Sequence, residues 1–124
     1  MNWLVLIAGL LSAAGWIAHL TVGRSRVLSL LGQASSDPTT KRVMICQYLY
    51  VAGFGTLSTI MMLLIGFQIW HGFVAVLYFI ALNFIAFAIV QVFVAVGSGS
   101  AKELLKLNHW IGFIIVAVLL LAGA

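Results

Sequence analysis

Four polar side chains stand near one end of four apolar segments, and their types could bind a ring or a metal ion. They are His19, Gln47, Gln91 and His109, one in each segment. Neutral imidazoles from two helices can ligate haem iron, and a histidine with a glutamine can hydrogen-bond the carbonyl of a quinone. Polar side chains also bridge membrane helices without binding anything, at roughly 0.6 kcal/mol each. The sequence favours this structural role and leaves haem b or a quinone as the alternative.

Helical spacing indicates that these side chains point inward. On the first segment Ala8, Ser12, Gly15 and His19 recur on one helical face of small residues. Small residues let helix backbones approach closely, so this face should pack inside a bundle. A closed metal site is not predicted, because two histidines without a nearby Cys, Asp or Glu fall short of the four ligands of structural zinc.

Composition requires a membrane around this chain. Of its 124 residues, 65% are hydrophobic and only 6% are charged, and the mean hydropathy is +1.24. A soluble domain has about 25% charged residues, so these charges cannot form a water-facing surface. The sequence predicts an all-α integral membrane protein. It is a four-helix transmembrane bundle in one domain, residues 1–124, with spans at about 3–22, 38–69, 73–96 and 102–123.

The basic residues give the predicted orientation. All six lie in two short stretches, between the first and second spans and between the third and fourth: Arg24, Arg26, Lys41, Arg42, Lys102 and Lys106. Cytoplasmic loops carry the excess of Lys and Arg, so both termini should lie on the extracytoplasmic side. Counted from these stretches, the four polar residues share a depth of about 5 to 9 Å inside their spans. The same residues should attract anionic lipids at the cytoplasmic face rather than nucleic acid.

The first polar gap has its own local signals. Gly23 and Arg24 should end the first span, and the arginines with Val27, Leu28, Leu30 and Leu31 predict a short interfacial helix. Asp37 or Ser36 is the expected N-cap of the second span, with Pro38 in its first turn. The short uncharged turn at 66–73 predicts that the second and third spans form a hairpin.

A second polar group lies near the middle of the membrane. Thr56 and Thr59 on the second span and Asn83 on the third should lie at equal depth in that hairpin. Hydrogen bonds from Asn83 to Thr56 or Thr59 should then pin the two helices together.

Function is predicted mainly from the groups that the spans lack. No Asp, Glu, Lys or Arg lies deep in a span, and no catalytic motif is present, so we expect no enzyme. The leading hypothesis is a small accessory or structural subunit of a larger membrane complex, or a homo-oligomer, in a prokaryotic plasma (inner) membrane. One alternative is a redox bundle that binds haem or a quinone with His19 and His109. Another is a small channel or transporter formed along an oligomer axis.

Overall fold

The computed structural model describes residues 1–34, 37–71, 73–97 and 109–124. Their regular secondary structure is entirely helical. The helices are α1 (Trp3–Ala18), α2 (Arg24–Gln33), α3 (Pro38–Gly66), α4 (Val74–Gly97) and α5 (His109–Gly123), and a π-helical turn (His19–Gly23) joins α1 to α2. Three stretches are long and apolar enough to cross a membrane, namely Trp3–Gln33, Pro38–Gly66 and Val74–Gly97, whereas α5 is a shorter apolar helix.

The helix does not break at Gly23 and Arg24, where the sequence predicts the end of the first span. The backbone stays helical at both residues, and α1 continues through the π-helical turn into α2. In that turn the N–H of Arg24 donates to the carbonyl of His19. A glycine lowers helix stability by about 1 kcal/mol, which does not end a helix whose backbone hydrogen bonds are kept. The helix predicted for the first polar gap is present, but it is not separate from the first span.

Asp37 begins α3, as predicted. Its carboxylate accepts the N–H groups of Thr39 and Thr40 at 2.8 and 3.1 Å and also the hydroxyl of Thr40. Pro38 occupies the first turn. The Thr40 hydroxyl and the two N–H groups together hold the pKa of Asp37 below its ordinary value. Ser36, the other N-cap that the sequence suggested, lies outside the described residues.

The end of α3 comes three residues before its predicted end near residue 69. The helix stops at Gly66 because Gln68 adopts a left-handed backbone with φ of 59°. The N–H of Gln68 donates to the carbonyl of Ile65, and the N–H of Ile69 donates to that of Leu64, both at 2.9 Å. This is the Schellman arrangement, in which the left-handed position usually holds glycine. Because this position holds a glutamine instead, the sequence alone does not indicate that the helix ends here.

The helices form a ring in the order α3, α1, α5, α4. The closest backbone packing joins α1 to α3, α1 to α5 and α4 to α5. Although a short turn links α3 and α4, these helices meet through the ring of Phe54, whose centroid lies 6.4 Å from that of Phe79 and 5.7 Å from that of Phe87. The largest fully buried side chains, one each from α1, α3, α4 and α5, are Val5, Met62, Phe84 and Leu120.

Glycines bring α1 and α3 together. A Cβ at Gly55 would overlap the indole of Trp16, and one at Gly66 would lie 2.9 Å from backbone atoms of α1. At the same end as Gly66, Asn2 connects three helices. Its N–H donates to the carbonyl of Gly66 at 2.9 Å, and its side-chain amide donates to the carbonyl of Gly123 at 2.6 Å.

Candidate functional site

A cavity of about 830 Å³ lies between α1, α4 and α5, at the end of the bundle where α5 begins. Three members of the predicted polar layer line it, namely His19, Gln91 and His109. Gln47 does not line the cavity and its side chain is exposed. The structure therefore brings together three of the four residues that the sequence grouped by depth.

The imidazole of His19 is held by two aromatic rings. The indole of Trp16 meets it edge-on with ring centroids 5.1 Å apart, and the phenol ring of Tyr48 stacks on it at 4.5 Å. The hydroxyl of Tyr48 donates to the carbonyl of His19, which also accepts the N–H of Arg24 in the π-helical turn. Both the side chain and the backbone of His19 are thus fixed at an irregular helical turn, a feature that is frequent at functional sites.

Two buried polar atoms at this cavity have no hydrogen-bond partner among the described residues. They are Nε2 of His19 and Oε1 of Gln91. Buried polar atoms are almost always paired, and leaving one unpaired costs about 1–3 kcal/mol. Both residues line the cavity, although these two atoms are themselves covered by protein atoms. A rotation of each side chain would bring them to a molecule bound there.

His109 is the first residue of α5 and lines the same cavity, although its side chain is more exposed than that of His19. Both predicted histidines therefore reach one site. Across the described parts of the chain, no three His, Cys, Asp or Glu side chains come together as a metal site would need. The site holds two imidazoles and an amide, which suits hydrogen bonding better than closed metal coordination.

Aromatic side chains form one wall of the cavity. The ring of Phe113 lies 6.5 Å from that of Trp16, 5.4 Å from that of Phe84 and 5.8 Å from that of Phe87, and all four residues line the cavity. We call these four residues the aromatic wall. The sequence analysis missed it, although Phe84 and Phe87 precede Gln91 by seven and four positions and so share its helical face.

The second predicted polar group does not pair as expected. The amide of Asn83 donates to the carbonyl of Phe79 on its own helix, and the hydroxyl of Thr56 donates to that of Ala52, both at 2.8 Å. No hydrogen bond joins Asn83 to Thr56 or to its other expected partner. The bulky ring of Phe54 between α3 and α4 accounts for this, because it keeps the two backbones apart.

Thr59 does bond to another helix, but to α1 rather than α4. The hydroxyl oxygens of Ser12 and Thr59 lie 2.7 Å apart, and both side chains are buried. Since the hydroxyl of Thr59 donates to the carbonyl of Gly55 at 2.8 Å, Ser12 is the donor in the pair. Ser12 lies on the small-residue face of α1, and no sequence pattern pairs it with Thr59.

Apart from the two histidines, Gln91 and Ser12, whose hydroxyl is paired with that of Thr59, the described lining is apolar. Among the described residues that line it, none is Asp, Glu, Lys or Arg. Comparison of the chain with known protein families, with curated proteins and with solved structures gives no match. The functional conclusion therefore depends on the chemistry of the cavity.

Proposed function

We propose that this chain is a four-span integral membrane protein of a prokaryotic plasma membrane that binds a neutral amphipathic small molecule between α1, α4 and α5. Both termini would lie outside, and α2 would lie at the cytoplasmic headgroup level. The apolar helices support the membrane location. The basic residues of the first polar gap support the orientation. The fourth span would run through α5, and its first predicted residues, 102–108, lie outside the described residues.

The observation that carries the proposal is the pair of buried, unpartnered polar atoms on an apolar cavity. Ligand sites in proteins are typically concave and about 300–1,000 Å³ in volume, with mostly apolar walls and a few polar groups that orient the ligand. The cavity here, at about 830 Å³, has this composition. A ligand with an apolar body and a hydrogen-bonding end would offset the cost of burying Nε2 of His19 and Oε1 of Gln91.

The role of accessory subunit or homo-oligomer, predicted from the sequence, is compatible with a ligand-binding bundle and stays a prediction. Large apolar side chains are exposed on the outer faces of the helices, with Phe93 80% and Leu57 66% exposed. Lipid or further membrane helices would cover them equally well. The cavity, by contrast, is lined by identified polar side chains, namely His19, Gln91 and His109. We therefore assign the function to the cavity.

The proposal is tested by identifying what copurifies with the protein. The full chain is purified in a mild detergent, and native mass spectrometry with solvent extraction measures bound neutral molecules per chain. We expect one bound amphipathic molecule in the wild type and its loss in the double variant His19→Phe, Gln91→Leu. The control is Gln47→Leu, which changes an exposed glutamine outside the cavity and should keep the molecule. A wild type that carries the same neutral molecules, in the same amounts, as the double variant would overturn the proposal.

A further inference from the structure

The two unpartnered side chains share a chemical property that narrows the ligand class. A neutral imidazole can donate from one nitrogen and accept at the other, and a primary amide has both an acceptor oxygen and donor N–H groups. His19 and Gln91 can each serve as donor or acceptor after a change of tautomer or a rotation of the amide. They therefore suit a ligand that presents carbonyl oxygens in one state and hydroxyl groups in another.

The described part of the lining carries no charged side chain, which disfavours several common membrane ligands. A carboxylate or phosphate inside an apolar cavity needs a cationic partner, because burying an isolated charge is very costly. None of the described lining residues is Lys or Arg, and His19 and Gln91 are the groups left unpaired. A fatty acid or a phospholipid headgroup is thus a poor occupant. The described lining therefore favours an uncharged ligand.

The aromatic wall favours a flat ring over a saturated chain. Aromatic side chains attract other rings in stacked or edge-on contacts worth about 0.5–1.5 kcal/mol beyond burial. The wall consists of Trp16, Phe84, Phe87 and Phe113, and Trp16 is also the residue that contacts the imidazole of His19. A ring that binds beside Trp16 would therefore be next to the imidazole of His19. The aliphatic lining, which includes Leu11 and Ile115, suits a hydrocarbon tail.

We propose that the cavity binds a quinone and its quinol, with the ring against the aromatic wall and the ring oxygens hydrogen-bonded to His19 and Gln91. This inference depends on the proposed function and names its ligand class. The imidazole and the amide donate to the quinone carbonyls, and both accept from the quinol hydroxyls. Gly15 and Gly112 line the cavity, and a Cβ at either would meet no atom within 4 Å, so they leave space for the ring.

Haem fits the same residues less well. Iron would use the imidazole nitrogens of His19 and His109, but a porphyrin would leave Oε1 of Gln91 without a donor. Haem also carries two carboxylates, and no Lys or Arg among the described residues lines the cavity. The quinol hydroxyls can donate to Oε1 of Gln91 and to Nε2 of His19, whereas the quinone accepts from these side chains once the amide has rotated and the imidazole has changed tautomer. Neither form introduces a charge.

The test measures binding of defined probes to the purified full chain. The probes are a benzoquinone with a ten-carbon tail, its borohydride-reduced quinol, and a sixteen-carbon alcohol as a neutral amphipath without a ring. Bound probe is separated by gel filtration and quantified after extraction. We expect the quinone and the quinol to bind with dissociation constants within about tenfold of each other, and the alcohol at least tenfold more weakly.

Single variants assign the contacts. His19→Phe keeps an aromatic ring against Tyr48 and removes the nitrogens, and Gln91→Leu removes the amide. Each should weaken quinone binding by about threefold to tenfold, the value of one neutral hydrogen bond. His71→Phe and Gln47→Leu, at exposed positions outside the cavity, should leave binding within twofold of the wild type.

The results of these experiments distinguish failure of the quinone assignment from failure of the proposed binding function. If the alcohol binds as tightly as the quinone, the ligand class is wrong and the binding function stands. If no probe binds and no neutral molecule copurifies, the binding function itself fails. A Soret band in the purified wild type that His19→Phe removes would overturn the quinone in favour of haem.

Discussion

The phenol ring of Tyr48 on α3 stacks on the imidazole of His19, with ring centroids 4.5 Å apart and an interplanar angle of 23°. The Tyr48 hydroxyl also donates to the carbonyl of His19. One side chain therefore contacts both the ring and the backbone of a histidine that lines the cavity. A Cβ at Gly23 would lie 3.5 Å from both His19 Nδ1 and the Tyr48 oxygen, an ordinary van der Waals distance, so Gly23 borders this contact closely.

This relationship predicts that Tyr48 positions His19 for the ligand. Tyr48→Phe keeps the stacking and removes a hydrogen bond worth about 1 kcal/mol, so binding of the quinone probe should weaken by about threefold to tenfold. Tyr48→Leu also removes the stacking and should weaken it further. Solid-state NMR of the ¹⁵N-labelled imidazole of His19 should show a shift in Tyr48→Phe even without ligand.

The matched control for this prediction is Tyr50→Phe. Tyr50 is 74% exposed, so its hydroxyl should not affect the cavity. Equal binding and an unchanged imidazole spectrum in Tyr48→Phe would show that Tyr48 only fills space.

A second prediction concerns the open space at Gly112. A Cβ there would contact nothing within 4 Å, so Gly112→Leu should fit without strain. Leucine also favours the helix by up to about 1 kcal/mol over glycine. Its side chain should fill the cavity and reduce bound quinone at least tenfold, while the unfolding midpoint in a denaturing detergent titration stays the same or rises. Gly53→Leu is the control, because Gly53 is equally open but lies outside the cavity. If Gly112→Leu bound as much quinone as the wild type, the ligand would not occupy this cavity.

Sequence reasoning found part of the site because depth in a membrane can be counted along a helix. His19, Gln91 and His109 were grouped by their distance from the basic stretches, and all three line one cavity. Gln47 has the same predicted depth but is exposed. Depth depends on residue number alone, whereas the side on which a residue faces depends on which helices are neighbours.

The sequence does not show which helices are neighbours in the bundle. A short turn between α3 and α4 suggested direct pairing, and Asn83 was matched to Thr56 and Thr59 on that basis. The order of helices in the ring is instead decided by residue size at the contacts. Gly55 admits the indole of Trp16 between α1 and α3, and Phe54 separates α3 from α4.

A third prediction follows from the contact between Gly55 and Trp16. Gly55→Ala places a methyl group where the indole lies, and overpacking of this kind costs typically about 1–3 kcal/mol. We expect a lower unfolding midpoint and loss of quinone binding, because Trp16 also lines the cavity. Gly53→Ala, two residues away in open space, should be neutral or stabilising by up to about 1 kcal/mol. Equal midpoints for the two variants would contradict the close packing of α1 on α3.

A fourth prediction uses the pH dependence of the α3 N-cap. The hydrogen bonds from Thr40 and Thr39 lower the pKa of Asp37 in the folded protein. Its stabilising contribution should therefore be complete above the ordinary carboxyl pKa of about 3.9 and be lost as the pH falls through the lower folded value. Amide hydrogen exchange in the first turn of α3 should accelerate over that range.

Asp37→Asn keeps a good N-cap without a titrating group, and its first turn should show no such pH-dependent loss of protection. A wild type with the same pH profile as Asp37→Asn would exclude the carboxylate as the cause.

The last prediction concerns the buried hydrogen bond between Ser12 and Thr59, which joins α1 to α3 at 2.7 Å. Such bonds between membrane helices contribute about 0.6 kcal/mol on average and up to about 1.7. Ser12→Ala should cost an amount in this range, whereas Thr56→Val should cost less, because the Thr56 hydroxyl bonds only to its own helix. In a double-mutant cycle, Ser12→Ala and Thr59→Val should show a coupling energy of similar size. Because Ser12 also lines the cavity, quinone binding is measured in parallel. Additive costs with no coupling would show that the two hydroxyls do not stabilise the α1–α3 contact, and the glycines would then be its main determinant.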